Sequence, residues 1–347
     1  MKTQSEQGSS RLKRGARRWH GVILGAVLLL GHWHCSSYRL PPLSPRVAAL
    51  PERLSQTGLY RDAELRELAD DLREYAPAYE LWSDGASKRR WLRLPPGTRI
   101  DTSDMNSWVF PVGTQLWKEF SERGRRVETR LLQRVAESED GWVAVAYGWD
   151  EAGTEALARP EGAQDVLETH HDVPGARACM TCHGGRRQRA LGFSALQLSH
   201  PARSETDWTL ERLAREQLLS APPVAPIQIP GAASEVAALG YLHANCGSCH
   251  SRERIGDARF FRPPAQLDLW LRVDELESPA ATATYRSAIG EFVIPGAPEE
   301  SRLFRRFTGS SWFRRRMPPL ASEVLDPNGA RILARWIDGL AATGSGR

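Results

Sequence analysis

The sequence predicts an α+β protein built from three successive parts: a β-rich domain over residues 54–168, a segment with short helices over residues 169–220, and an all-α domain over residues 232–347. Three observations support this division. Alternating apolar and polar residues between Pro and Gly turns fill the first part, which is typical of strands. Prolines recur through residues 221–231, which therefore cannot be helical and are predicted to be a linker. Apolar residues at helical spacing dominate the last part.

Residues 1–35 have the features of an export signal. Five basic residues from Arg11 to Arg18 precede an apolar run over residues 21–31. That run is shorter than the roughly 20 apolar residues that span a bilayer, so a signal sequence is favoured over a permanent transmembrane helix. The pattern predicts an exported, periplasmic protein.

Cys35 follows the apolar run where a lipoprotein carries its lipidated cysteine. His32, Trp33 and His34 replace the apolar and small residues expected before such a cysteine. The sequence therefore leaves two alternatives open, a lipid anchor at Cys35 or an ordinary signal peptide. The proline-rich residues 36–53 are predicted to be an extended tether.

The basic charge of the chain belongs to its signal. Residues 1–35 hold six Lys or Arg and one acidic residue, while the whole chain has a formal net charge of +4, so the remainder carries about −1. Binding to a nucleic-acid backbone requires an excess of positive charge. We therefore expect no nucleic-acid partner.

Turn-bounded alternation in the first part predicts strands, and six of the twelve tryptophans fall there, which predicts an aromatic core. A short helix is predicted over residues 64–72, because Leu65, Leu68 and Leu72 have helical spacing. The predicted strands are at residues 91–94, 108–110, 127–132 and 142–149.

Two copies of the pattern Cys-x-x-Cys-His follow the β-rich domain. Two thiols at this spacing form thioethers with the vinyl groups of a haem, and the adjoining imidazole binds the iron. One all-cysteine zinc site is the alternative, but each copy is complete with its own histidine, which favours two covalently attached haem c groups. The predicted ligands are Cys179, Cys182 and His183 for the first haem, and Cys246, Cys249 and His250 for the second.

The second axial ligand of each iron must come from elsewhere in the chain. Met317 is predicted for the second haem, since a thioether is a soft iron ligand and two prolines stiffen the segment behind it. For the first haem three alternatives remain: a histidine (His170, His171 or His200), Met105, or an open face.

Helices are predicted on both sides of the second motif. One runs from an N-cap at Ser234 into Cys246, and one begins at Asp326 with Pro327 in its first position. Ala238 and Leu242 are expected to form a packing face on the first of these helices. His243 is expected to lie on its surface.

Three further short motifs precede the two Cys-x-x-Cys-His copies: Leu-Ser-x-Thr-Gly-Leu-Tyr at residues 54–60, Leu-Trp-Ser-Asp-Gly-Ala at 81–86 and Phe-Pro-x-Gly-Thr at 110–114. Together, these five motifs resemble those of an uncharacterised family of exported bacterial dihaem proteins, and the resemblance covers nearly all of the chain after the signal. Separately, the C-terminal part resembles class I cytochrome c domains, which implies an all-α fold there.

These features predict electron transfer by a periplasmic dihaem cytochrome with separate, unidentified redox partner proteins. Histidine and methionine together would fill both faces of the second haem and leave no open coordination site there. The alternative is a haem enzyme of peroxidase or small-molecule reductase type, whose open first haem receives electrons from the second. The coordination of the first haem separates the two hypotheses, and the sequence alone does not decide between an enzyme and a carrier.

Overall fold

Six antiparallel strands, hydrogen-bonded in the order of the chain, form the central sheet. The computed structural model describes residues 49–344 except 63, 185, 188, 254–263, 265, 310–315, 320 and 321. The predicted signal, Cys35 and most of the predicted tether lie outside the described residues. The strands are β1 (Arg73–Glu74), β2 (Ser87–Arg93), β3 (Gln115–Glu122), β4 (Arg125–Arg134), β5 (Trp142–Trp149) and β6 (Ala156–Ala158).

One face of the sheet is the aromatic core that the sequence predicts. Trp91, Trp117, Leu131 and Val145 are paired in register across four strands, from β2 to β5. Because side chains alternate along a strand, this row points to one side of the sheet. There it packs with buried residues from the chain before β1, including Leu54, Leu59 and Leu65.

The opposite face is apolar at one end and charged at the other. Leu92, Leu116 and Leu132 pack with the buried Phe193 in the largest hydrophobic cluster. The positions two residues before or after these leucines, which lie on the same face, carry basic residues. Seven α-helices are described in all: α1 (Ala176–His183), α2 (Ala195–Leu198), α3 (Leu210–Arg215), α4 (Ala233–Asn245), α5 (Ala283–Ala288), α6 (Arg302–Thr308) and α7 (Pro327–Gly344).

Helices α4 and α7 pack against each other through the packing face that the sequence predicts on α4. Ala238 and Leu242 of α4 share a buried cluster with Trp336 and Ile337 of α7. The backbone N–H groups of residues 328 and 329 donate to Asp326 Oδ1, each at 2.9 Å, which caps α7 at its predicted start.

The prediction of an all-α, class I cytochrome c-like domain over residues 232–347 is wrong. The protein is built on the six-stranded antiparallel sheet, and α4 is shared between that part and the helical part. Leu239 of α4 belongs to the same cluster as Leu92 of β2. A Cβ atom at Gly240 would lie 2.1 Å from the ring of Tyr79, so α4 presses directly on the chain that leads into β2. One side of α4 packs against the helical part and another against the part that contains the sheet, so residues 232–347 do not form a separate helical domain.

The segment predicted as a linker is extended and packed. Ile227 and Ile229 are buried in the same cluster as the sheet, and the Ile227 N–H donates to Ser199 Oγ at 2.8 Å. The described residues belong to a single structural unit.

No helix in the described part of the chain is long and apolar enough to cross a membrane.

Candidate functional site

The first Cys-x-x-Cys-His motif forms the end of α1, which places Cys179 and His183 one helical turn apart. The ring Nδ1 of His183 lies 2.6 Å from the carbonyl oxygen of Arg189. Because a carbonyl can only accept, Nδ1 carries the proton and the lone pair is on Nε2. Burial lowers the pKa of His183 to about 4, so the imidazole is neutral. A neutral imidazole with a free Nε2 is the form that binds iron.

The second motif forms a tight turn at the end of α4. The N–H groups of Cys249 and His250 both donate to the carbonyl of Cys246, at 3.1 and 2.9 Å. The Leu269 N–H in turn donates to the carbonyl of His250 at 2.8 Å. The turn therefore fixes the backbone of Cys246, Cys249 and His250 relative to one another.

The two motifs are in direct contact. The thiols of Cys182 and Cys249 interact with each other, and this interaction together with burial raises the pKa of Cys182. Arg186 strengthens the junction, since it donates to Ser251 Oγ at 2.9 Å and to Glu253 Oε2 at 3.3 Å. Its guanidinium also lies 4.0 Å from the ring centre of Trp270. Two segments that are far apart in the sequence thus form one site.

Basic residues of the sheet lie beside the first motif. Arg130 acts electrostatically on Cys179 and Cys182, and Lys118 acts on His183. Burial and neighbouring cations hold the pKa of Lys118 well below its usual value, and the residue as a whole is half-buried. Both basic side chains therefore lie close enough to the first motif to act on its thiols and its imidazole.

Glu128 is the main anion in this region. Its carboxylate accepts bonds from Arg130 Nε and Nη2 at 2.6 and 2.8 Å, and one of its oxygens lies 2.6 Å from His171 Nε2. Burial alone would raise the pKa of Glu128, but Arg130 and His171 hold that pKa below its usual value. Glu128 is therefore an ionised group that anchors two side chains next to the first motif.

The histidine candidates for the first haem are engaged elsewhere. His171 uses Nε2 to contact Glu128, as described above. Both ring nitrogens of His200 lie near carbonyl oxygens, Nδ1 at 2.9 Å from Pro201 and Nε2 at 2.8 Å from Ala76. His170 is exposed and lies near Asp165 and Glu323. None of these three contacts places a ring nitrogen at His183. Met105 packs against the large cluster of the sheet.

Met317 lies between α6 and α7, and its N–H donates to the carbonyl of Arg306 at 2.8 Å. The end of this segment is fastened to the second motif through Trp82. The Trp82 N–H donates to Asn245 Oδ1 at 2.7 Å, and its indole N–H donates to the carbonyl of Val324 at 3.0 Å. Asn245 immediately precedes Cys246. The motif at residues 81–86 therefore joins the second Cys-x-x-Cys-His copy to the segment that follows Met317.

The donor set fits covalent haem better than zinc. A structural zinc site needs about four ligands that converge on one point. Among the described residues, the only group of three His, Cys, Asp or Glu ligand atoms within metal-binding range of one another is Asp165, His170 and Glu323, all exposed. The four described cysteines form no such group. His183, whose Nδ1 is anchored and whose Nε2 carries the lone pair, fits the role of an axial haem ligand.

Sequence reasoning missed Lys118, Glu128, Arg130 and Arg186. The available signal was the alternation of β3, where Leu116, Lys118 and Phe120 fall on one face, so that a basic residue stands at a buried position. His243 was also misjudged, because it is 2% exposed and its Nδ1 accepts a bond from the Leu271 N–H at 3.1 Å.

No protein-family model, no curated protein and no solved structure matches this chain.

Proposed function

We propose that this protein is an exported c-type cytochrome that carries two covalently attached haem c groups and transfers electrons between periplasmic redox proteins. Its two Cys-x-x-Cys-His motifs have the thiols and imidazoles that such attachment requires. A haem supplies a one-electron redox centre. The observation that carries the proposal is the orientation of His183, whose Nδ1 lies 2.6 Å from the carbonyl oxygen of Arg189, because it leaves the lone pair of Nε2 for an iron.

The residues of the site divide into attachment, ligation and support. Cys179 and Cys182, and likewise Cys246 and Cys249, would form the thioethers. His183 and His250 would each bind an iron, with the carbonyl of Arg189 holding the first ring in orientation. Met317 would be the second ligand of the second haem, in a segment that Trp82 ties to the motif.

The cellular location is part of the proposal. The signal pattern over residues 1–35 and the resemblance to exported bacterial dihaem proteins both favour the periplasm. Cys35 is either lipidated or removed with the signal. Two adjacent redox centres would pass electrons between separate partner proteins.

The test is to produce the full chain in a host that attaches haem in its periplasm and to count covalent haems by mass spectrometry. We expect two haems per chain, and one in each of the double variants Cys179→Ala/Cys182→Ala and Cys246→Ala/Cys249→Ala. Cys35→Ala is the matched control, because this cysteine lies outside both motifs, and it should keep two. A wild-type chain that carries zinc and no covalent haem would refute the proposal.

A second candidate function rests on the histidines near the first motif. His171 and His200 have ring nitrogens engaged by Glu128 and by backbone carbonyls, which favours an open face on the first haem. An open face permits a peroxidase or a small-molecule reductase. Carbon monoxide separates the two functions. A reduced spectrum that carbon monoxide does not change supports simple electron transfer, whereas a shift in half of the haem supports catalysis at the first motif.

A further inference from the structure

Three basic residues stand side by side on the charged end of the sheet. The register pairs Arg90 of β2 with Lys118 of β3, and Lys118 with Arg130 of β4. Directly opposed residues have Cβ atoms about 4.5–5.5 Å apart, and like charges in such positions destabilise a sheet. We call these three residues the basic row. A row of this kind needs negative charge to balance it.

The described residues supply only part of that charge. Arg130 is paired with Glu128, and Arg90 reaches the largely exposed Glu80 at a long 3.5 Å. Lys118 lies 5.0 Å from the ring centre of Phe120, and no acceptor among the described residues lies within hydrogen-bond distance of its Nζ. The groups that act on Lys118 include several cations and one carboxylate, that of Glu128. The central residue of the row thus lacks an anionic partner within the described chain.

The basic row lies next to the first Cys-x-x-Cys-His motif. Lys118 acts on His183, and Arg130 acts on both cysteines of that motif. Arg130 keeps 23% of its side-chain surface accessible although it belongs to a buried pair, and Lys118 is also only partly covered. Two of the three residues of the row are therefore partly accessible beside the first motif, whereas Arg90 is buried.

We propose that the basic row binds an anionic oxygen group beside the first haem, with Lys118 as the central contact. The proposal rests on the proposed function. Such a group has two sources, a propionate carboxylate of the haem itself or a small free oxyanion. Lysine and arginine bind carboxylates and oxyanions by the same charge-assisted hydrogen bonds.

The experiment is a spectroelectrochemical titration of the holoprotein, after mass spectrometry has shown two covalent haems. Lys118→Met removes the charge at similar length, and Arg90→Met is a second variant of the row. Arg89→Met is the matched control, since Arg89 is next to Arg90 on β2 but points to the other face and pairs with Glu74 at 2.9 Å. Each protein is titrated with and without sodium formate at constant ionic strength.

If a propionate occupies the row, Lys118→Met and Arg90→Met lower one midpoint potential and leave the other unchanged, with no dependence on formate, because an uncompensated carboxylate favours the oxidised iron. If a free oxyanion occupies it, formate shifts one wild-type potential saturably and has no effect on Lys118→Met. Arg89→Met should match the wild type in both cases. Unchanged potentials in both row variants together with no formate effect would overturn the inference and leave the dihaem proposal standing, whereas absence of covalent haem refutes both.

Discussion

Replacing Glu128 by Gln tests the electrostatic organisation of the site most directly. The Glu128 side chain has no exposed surface and binds two partners, Arg130 by two bonds and His171 by one. Glutamine keeps the volume but removes the charge, so the partly buried Arg130 loses its anionic partner beside Lys118. Breaking a buried ion pair at one partner costs about 3–5 kcal/mol. We expect a loss of this size in the free energy of unfolding.

The assay is urea denaturation at pH 7, followed by circular dichroism, on proteins with equal haem content. Glu119→Gln is the matched control, because Glu119 is also a buried carboxylate of the sheet but its described hydrogen bond comes from the neutral Tyr60 hydroxyl at 3.0 Å. Loss of a single hydrogen bond costs about 1 kcal/mol. Adding Arg130→Met to Glu128→Gln should restore part of the stability, since it removes the stranded cation.

At acidic pH, the free energies of unfolding of the wild type and of Glu128→Gln should become more similar. The folded protein holds the pKa of Glu128 below the ordinary carboxyl value of 4.5. The contribution of this carboxylate is therefore complete above about pH 4.5 and is lost as the pH falls through the lowered value. The reasoning is refuted if Glu128→Gln costs no more than Glu119→Gln at pH 7.

Two further predictions concern α4 and its partner. Burial lowers the pKa of His243 to about 3, so as the pH falls below the ordinary value of 6.5 the unfolded chain takes up a proton before the folded protein does. The free energy of unfolding of the wild type should therefore decrease between these two pH values. His243→Asn should show a smaller decrease when both proteins are denatured at a series of pH values. A steeper acid loss in His243→Asn than in the wild type would contradict this. Gly240→Ala should lower the free energy of unfolding by about 1–3 kcal/mol, because the added Cβ meets the ring of Tyr79. The control is Gly339→Ala on α7, where an added Cβ meets no neighbour, and this variant should be more stable than the wild type by about 0.5–1 kcal/mol. Equal thermal midpoints for the two variants would exclude the close contact at Gly240.

Local patterns predicted much of the secondary structure. Strands β4 and β5 coincide with predicted alternating segments, and β2 overlaps one. Helix α7 follows its predicted cap, whereas α4 begins at Ala233, so the predicted N-cap Ser234 lies inside the helix. The predicted strand at residues 108–110 is reduced to an isolated bridge between Asp101 and Val109. These successes depend on contacts within a few residues of each other in the chain, which sequence periodicity reports well.

The errors arose where tertiary contacts overrode a local pattern. Leu65, Leu68 and Leu72 do face a core, but the segment is not helical, and Leu65 has a φ of 53°. Strand β3 was missed because Lys118 and Glu119 look like surface residues. In the sheet they stand opposite other charged residues in the strand register. The separate helical domain was predicted because the second apolar face of α4 is visible only once its partner is known.

In the candidate site, too, the sequence predicted local features but not the contacts between distant parts of the chain. The sequence identified Cys-x-x-Cys-His ligands by spacing alone, and that assignment remains a prediction. It could not show that Cys182 and Cys249 meet, since nothing local links residues so far apart in the chain. It likewise could not show that the nitrogens of His171 and His200 already have partners.

The contact between Cys182 and Cys249 has a consequence for biogenesis. Thiols that touch in an oxidising compartment form disulfides readily. Under the proposed function, such a bond would consume one attachment thiol of each haem and would block both. Haem must therefore be ligated while the two motifs are still apart on an incompletely folded chain, or a dedicated reductant must keep these two thiols open. Under the proposed function, the contact between these two thiols thus requires that haem attachment precede the final folding of the site or that the thiols be kept reduced.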